Sequence, residues 1–331
     1  MTQRIMRITN KFNLPDFVVD VLTTSDYTRG KSHVSVTQLI DSPRIRILQR
    51  MHDDSIEQDA SEFIWSSFGT AVHNLFEDKI TDGISEERLF IDIDGWNISG
   101  AIDVQQVTED GVIVYDYKVT SVWSVIFDKS EWHNQLNAYA WLVRKAKGLP
   151  VKEAKIVAVL RDWQRRKAAE EESYPDSPVQ IVDIPIWSEQ EQDDYIHGRI
   201  AAHQEATFSQ MRGTALPLCS EKEKWMKDDK FAVKKTSNKR AMRVFDSMED
   251  AQNYFDNRGL DSSHSIEVRK GAATRCEQNW CRVLEFCDQY LNEETACPRS
   301  TAQTPTLYCS MTEGLSLLLA LSKSEKMQML L

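Results

Sequence analysis

Three residues in the middle of the chain carry the groups that a metal-assisted hydrolysis needs. Asp116 and Lys118 stand two apart in VIVYDYKVT, so on a strand both side chains share a face. Asp103 lies in the preceding stretch WNISGAIDV, where alternation groups it with Asn97, Ser99, Ala101 and Gln105 on the more polar side. The short connection TEDG can bring Asp103 beside Asp116. Two adjacent carboxylates repel unless a cation lies between them, and Mg²⁺ or Mn²⁺ takes carboxylate oxygens. A lysine at such a site can orient or deprotonate a water and oppose the charge that develops as a phosphodiester is attacked. An Asp-x-Lys pair by itself is far more often a solvent-facing ion pair.

The weight therefore rests on what accompanies the three. Gly69-x-x-x-His73-x-x-x-Glu77 falls on a predicted helix before them, and Gly100 stands three before Asp103. Gln135-x-x-x-Tyr139 falls on the next predicted helix. All occur in order within a short stretch, each on the element type its role requires. Singly, His73 also fits a satisfied core histidine and Tyr139 a packed helix residue. Glu77 is open between supporting His73, binding a second cation and facing solvent.

The elements that must position these groups are legible in the periodicity. From Ser61 to Ile80, the positions Ile64, Phe68, Val72, Leu75 and Phe76 recur at three and four residue steps, which predicts a buried helical face. RLFIDI, the turn Asp94-Gly95 and WNISGAIDVQQV then form a hairpin, and Asp110-Gly111 turns the chain into VIVYDYKVT, completing a three-stranded antiparallel meander. Residues 131–146 return to helical spacing, KIVAVLRDW and VQIVDIPIW read as two further strands, and 188–211 as a polar helix. The class is α/β with a mixed sheet. Before this core, FVVDVL reads as helix, a turn is expected around Tyr27, Arg29 and Gly30, and the Leu39 to Leu48 stretch as a helix broken near Pro43. AMRVFDSMEDAQNYF reads as a strand-helix pair in a smaller C-terminal region. The expected organisation is a helical lead-in at 1–60, a core at 61–213, a Cys-containing subdomain at 214–297 and a tail at 298–331.

The ordered set resembles the RecB-type branch of the PD-(D/E)xK nuclease superfamily, phage-encoded members included. DYTRG and SVTQLIDSPRI also look like the lead-in of phage nuclease-like proteins. The resemblance implies a restriction-endonuclease-like mixed sheet flanked by helices. It also implies metal ligation by His73, Asp103 and Asp116, assistance to the attacking water by Lys118, and organisation of the site and the DNA strand by Gln135 and Tyr139. The implied activity is a Mg²⁺- or Mn²⁺-dependent deoxyribonuclease, an exonuclease in phage or bacterial recombination, replication or repair, acting on single strands or duplex ends, with partner proteins from those processes. The competing reading is a catalytically silent module of the same fold that binds DNA or a partner.

Charge and cysteine content refine this. A formal net charge of −11 argues against a general nucleic-acid coat, whose affinity comes from neutralising phosphates, but not against an enzyme with a basic groove. Arg161, Arg165, Arg166 and Lys167 are one candidate groove edge; Lys234, Lys235, Lys239, Arg240 and Arg243 are a second, and each run reads equally well as a solvated face. No apolar run approaches the ~20 residues of a membrane span, and the N-terminus has no continuous apolar segment of a secretory leader, so a cytoplasmic location is expected, that of the bacterial host for a phage protein. Cys219, Cys276, Cys281 and Cys287 supply the four thiols of a structural Zn²⁺ or a 4Fe-4S cluster. Some RecB-type nucleases carry a four-cysteine iron-sulfur clasp whose first cysteine precedes the core, whereas Cys219 follows it. The other reading is free thiols; Cys297 and Cys309 read as incidental.

Overall fold

In the computed structural model the described residues are 7–24, 32–77 and 79–296, with no side chains described for 293–296. The turn expected at Tyr27 to Gly30, Cys297, Cys309 and the 298–331 tail lie outside them. In chain order the elements begin β1 (Arg7–Thr9), α1 (Asp16–Thr23), β2 (Val34–Ser35), α2 (Val36–Leu39), α3 (Pro43–Met51), β3 (Glu57–Asp59) and α4 (Ile64–Glu77). The meander follows as β4 (Ile84–Ile93), β5 (Trp96–Thr108) and β6 (Gly111–Thr120). Then come α5 (Trp123–Ile126), α6 (Ser130–Lys147), β7 (Val151–Leu160), α7 (Arg165–Glu170), β8 (Val179–Ile184) and α8 (Glu189–Arg212). The last part of this unit holds β9 (Lys230–Lys235), β10 (Arg243–Phe245), α9 (Met248–Asn257), β11 (His264–Arg269) and α10 (Thr274–Glu277).

Local chemistry explains where these begin and end. Ser35 caps α2 reciprocally with Gln38, Ser42 caps α3 with Pro43 at its first position, and Ser188 caps α8 reciprocally with Glu191. The helix break at Pro43 is the expected one. Asp94 (φ 52) and Gly95 (φ 76) both take left-handed backbone, so the β4–β5 turn is of the primed type that matches strand twist. The lead-in expected to be helical also contains strands: β1 pairs in parallel with β3, anchored by Asp59, whose carboxylate accepts from Thr9 and from the Lys11 N–H.

The main sheet is mixed, in the order β2-β5-β6-β7-β8 with β4 on β5. β4–β5, β5–β6 and β7–β8 are antiparallel, and β6–β7 is parallel. A parallel pair needs a crossover, which α6 supplies. That helix is apolar on several sides because it is buried: Leu136, Trp141, Leu142 and Val143 pack with Ile98, Ile102, Val114 and Ile156 of the sheet and with Ile196 and Ile200 of α8. The Trp141 indole N–H is satisfied by Asp193 at 2.7 Å.

The α4 face departs from expectation. Val72 is buried, but Ile64 is 45% exposed, Phe68 42% and Leu75 65%. The helix packs on β6, where Phe76 stacks on Tyr117, and nothing among the described residues covers the rest of the stripe to burial.

A smaller antiparallel sheet, β10-β9-β11, is joined by α9, giving the strand-helix pair read from the sequence. These elements belong to one compact unit ending at Val283; the second unit, from Leu284, contains a 3-10 turn at Leu284–Phe286 and α11 (Asp288–Ala296). No helix among the described residues is long and apolar enough to cross a membrane.

Candidate metal centre and active site

The site lies at a fork in the sheet. β5 pairs with β4 along one edge; on the other, β6 takes Val104 to Thr108 and β2 takes Ile98 and Ser99. Between these, at Gly100 to Asp103, the ladder toward β6 is interrupted. Continuing the register past Val104 and Tyr115 would set Asp103 opposite Asp116, and there the Asp103 side chain replaces the missing backbone partner: its Oδ2 accepts the Tyr117 N–H at 2.7 Å. The TEDG connection thus brings the two carboxylates together, as the spacing predicts.

Both are buried, Asp103 at 7% and Asp116 at 1% exposure. Burial, then the charge of Asp116, push the Asp103 carboxyl up to about 7 despite the opposing effects of His73, the Tyr117 N–H and Lys118. Asp116 Oδ1 accepts from Gln135 Nε2 at 2.9 Å, and the same amide reaches the Tyr139 hydroxyl at 3.0 Å. Asp116 Oδ2 is buried without a hydrogen bond and meets the Lys118 ammonium as an ion pair. Lys118, partly exposed, brings its charge to the mouth of the site.

His73, one turn from the end of α4, completes the group. Its Nε2 lies 3.3 Å from the Tyr117 carbonyl, which only accepts, so Nε2 carries a proton; Nδ1 faces the carboxylates and takes the second proton when the ring is charged. Nδ1 stands 3.4 Å from Glu86 Oε1 and 3.7 Å from Asp103 Oδ2. Burial works against charge on His73 but is outweighed by the hydrogen bond to Glu86 and the charges of Asp103, Glu86 and Asp116, so its pKa rises. The negative charge that holds that proton equally attracts a divalent cation. One donor atom each from His73, Glu86 and Asp103 lies within 4.8 Å of the others, a mixed N/O set that suits a hard or borderline divalent ion. This donor chemistry fits a metal; Asp116 lies beside the group, with Oδ2 paired to Lys118.

Glu86 is the residue that periodicity misses; Glu77 is outside the group. The Glu86 backbone is left-handed (φ 49), and the β4–β5 pairing passes from Ser85 opposite Val104 to Glu87 opposite Ile102, omitting Glu86. A left-handed non-glycine residue is uncommon, and here it coincides with the break in the pairing at the fork. A signal was available: counting back from the Asp94-Gly95 turn, with Ile93 opposite Trp96, sets Glu86 across from Asp103.

The other predicted residues divide. Arg161 lies over the Trp65 ring at 4.6 Å, Arg166 pairs with Glu170, and Lys167 approaches the Tyr174 ring. In the second run Lys234 pairs with Glu267, and Arg243 covers Phe245 and Tyr254, local contacts of the small sheet. Cys219 Sγ is 3.1 Å from the Ser42 hydroxyl. Burial works against charge on nearby Arg275, but Asp41, bound bidentately at 2.7 and 2.9 Å, and then Cys281 and Cys219 outweigh it. Cys287 belongs to the second unit.

The strand fork holds two buried carboxylates with a lysine two residues on, a helical histidine and a Gln/Tyr pair behind them, the arrangement that the resemblance to RecB-type nucleases implies. Residues 46–288, well over half of the chain, match the PD-(D/E)XK nuclease superfamily, and the chain belongs to that superfamily. Two solved structures similar to it are a phage-related exonuclease from Haemophilus somnus 129PT and an alkaline exonuclease from Laribacter hongkongensis. The first is 16% identical with TM-score 0.34, covering 54% of this chain and 95% of that one. The second is 14% identical with TM-score 0.35, covering 54% and 91%. Both likenesses are too distant to bear on activity. No curated protein sequence matches the chain.

Proposed function

We propose that the chain is a Mg²⁺- or Mn²⁺-dependent deoxyribonuclease, an exonuclease of phage or bacterial DNA recombination, replication or repair, working in the bacterial cytoplasm on single-stranded or duplex ends alongside partner proteins. One observation carries the reading: the buried Asp103 and Asp116 carboxylates share the fork with His73 and Lys118. Asp103, Asp116 and His73 would hold the ion, with Glu86 as a further ligand. When bound, the ion supplies Lewis-acid polarisation of the phosphodiester and a lowered water pKa. Lys118 is the general acid-base or charge-stabilising group at the reacting phosphate, where a P–O bond to water forms as the P–O bond to the leaving strand breaks. Gln135 fixes the Asp116 carboxylate, and Tyr139 fixes Gln135 from behind.

We also infer that 214–297 is an accessory region to a 61–213 core after the 1–60 lead-in, with Cys219, Cys276 and Cys281 as thiol ligands of a 4Fe-4S cluster or Zn²⁺. The proximity of Arg275 to two of the thiols supports this, since a cation favours the thiolate that binds metal. Elemental analysis and visible absorbance of anaerobically purified protein test it; absence of both metals overturns it. The nuclease reading is tested on end-labelled linear, circular and single-stranded DNA with and without divalent metal. Linear DNA should be degraded, and Asp116→Ala and Lys118→Ala should abolish it; mutant rates equal to wild type, or tight DNA binding in EDTA with no cleavage under any metal condition, would sink it.

A further inference from the structure

We propose that the exposed rings beside the fork are a stacking subsite that grips unpaired bases, so that the strand delivered to the metal centre is single-stranded. This rests on reading Asp103, Asp116 and Lys118 as the hydrolytic site.

The three rings, one paired with a guanidinium and two stacked on each other, are tied to the same corner of the sheet. Trp65, on the first turns of α4, is 54% exposed with the Arg161 guanidinium over it. Trp123 and Phe127, 54% and 63% exposed, stack on each other with centroids 6.0 Å apart and planes 16° from parallel. Adjacent backbone joins the pairs: the Arg161 N–H donates to the Thr120 carbonyl, two residues beyond Lys118, at 2.9 Å. Next to it, Asp162 accepts from the Ser121 hydroxyl at 2.6 Å and the Val122 N–H at 2.8 Å, holding the turn into α5.

On α4 the position between Trp65 and His73 carries no side chain. Trp65, Gly69 and His73 recur at four-residue steps, one stripe of the helix. A Cβ built on Gly69 meets nothing within 4 Å, so packing in this chain does not demand a glycine at that point. Glycine in a helix interior is unfavourable, and what it provides here is open space between the rings and His73.

Large flat apolar faces left in water beside guanidinium charge suit a polymer with flat apolar bases and anionic phosphates. Bases inside a duplex present only their edges to such rings, so the subsite selects unpaired nucleotides. The charge of Arg161 distinguishes this surface from a purely apolar docking face.

The test measures binding of a labelled single-stranded oligonucleotide and of a blunt duplex in EDTA, and hydrolysis of both with Mg²⁺ or Mn²⁺. Trp65→Ala and Trp123→Ala should each weaken single-strand binding roughly tenfold or more and leave blunt-duplex binding unchanged, with Trp65→Phe largely retaining affinity and Trp65→Leu not. All these side chains are exposed, and an unchanged melting temperature confirms folding. Unchanged single-strand affinity in the alanine variants, equal losses for duplex, or rescue by leucine, as a protein partner's apolar contact would give, overturns the proposal. Ring-dependent binding without hydrolysis in any metal would spare the subsite and refute the nuclease reading. Hydrolysis indifferent to the rings would do the reverse.

Discussion

Gly100→Ala links core packing to the chemistry. A Cβ at this position would lie 2.6 Å from Leu142 Cδ1, 3.0 Å from Tyr139 Cε1 and 3.1 Å from Val36 Cγ2. Leu142 would have to withdraw by about 0.8 Å, the gap between 2.6 Å and ordinary contact at 3.4 Å, and it is fully buried in α6. Overpacking of this kind costs about 1–3 kcal/mol, partly offset by the lower chain entropy of alanine when unfolded, about 0.4–1 kcal/mol. The melting temperature should fall by up to roughly 10 °C. The tighter Tyr139 contact adds a second effect. The Tyr139 hydroxyl meets the amide that holds Asp116, so relieving the 3.0 Å contact by about 0.4 Å should disturb that amide and lower kcat, by less than the roughly 10²-fold of a full 1 Å misplacement. Thermal melting and DNA hydrolysis are the assays, with Leu142→Ala as the relieving partner. The double variant should be more stable than the two single losses summed, by about 1 kcal/mol or more. Unchanged melting temperature and kcat in Gly100→Ala, or strict additivity in the cycle, would refute the steric reasoning.

Gln135→Leu, which removes the Asp116 hydrogen bond, should lower kcat by about 10²-fold while the far-ultraviolet circular dichroism stays that of the parent. Mn²⁺ at 100 times its dissociation constant should add about 2.7 kcal/mol to stability; differential scanning calorimetry should show that increment lost in Asp103→Asn and reduced in Glu86→Gln. Fully buried His203 accepts at Nδ1 from Arg46 Nε at 2.9 Å, which forces its proton onto Nε2 toward the Leu39 carbonyl. Burial, then Arg46 and Arg199, push its pKa down to about 4. Its neutral form is therefore the folded form: stability is complete above the unfolded value near 6.5 and falls as pH drops toward 4, by about 3 kcal/mol in all. Urea midpoints at pH 7 and 4.5 measure this, and a His203→Gln variant should lack that component of the slope.

What the sequence determined by itself was local. Asp116 and Lys118 share a strand face because side chains alternate, and Asp94-Gly95 sets the hairpin because its backbone tolerates positive φ. Ser35, Ser42 and Ser188 start helices by supplying the first N–H partners. The order of His73, Asp103, Asp116, Lys118, Gln135 and Tyr139 was enough for the nuclease class. Tertiary structure decided the rest. Glu86 joins His73 and Asp103 at the fork, where a left-handed residue interrupts β4; the hairpin register sets it across from Asp103, but alternation does not report the break that turns it to the group. Gln135 holds Asp116 because α6 crosses between β6 and β7, a contact no spacing within the helix specifies. The apolar stripe of α4 is periodic, yet much of it is exposed. Periodicity reports which residues share a side of a helix; whether anything packs against that side depends on elements distant in the chain.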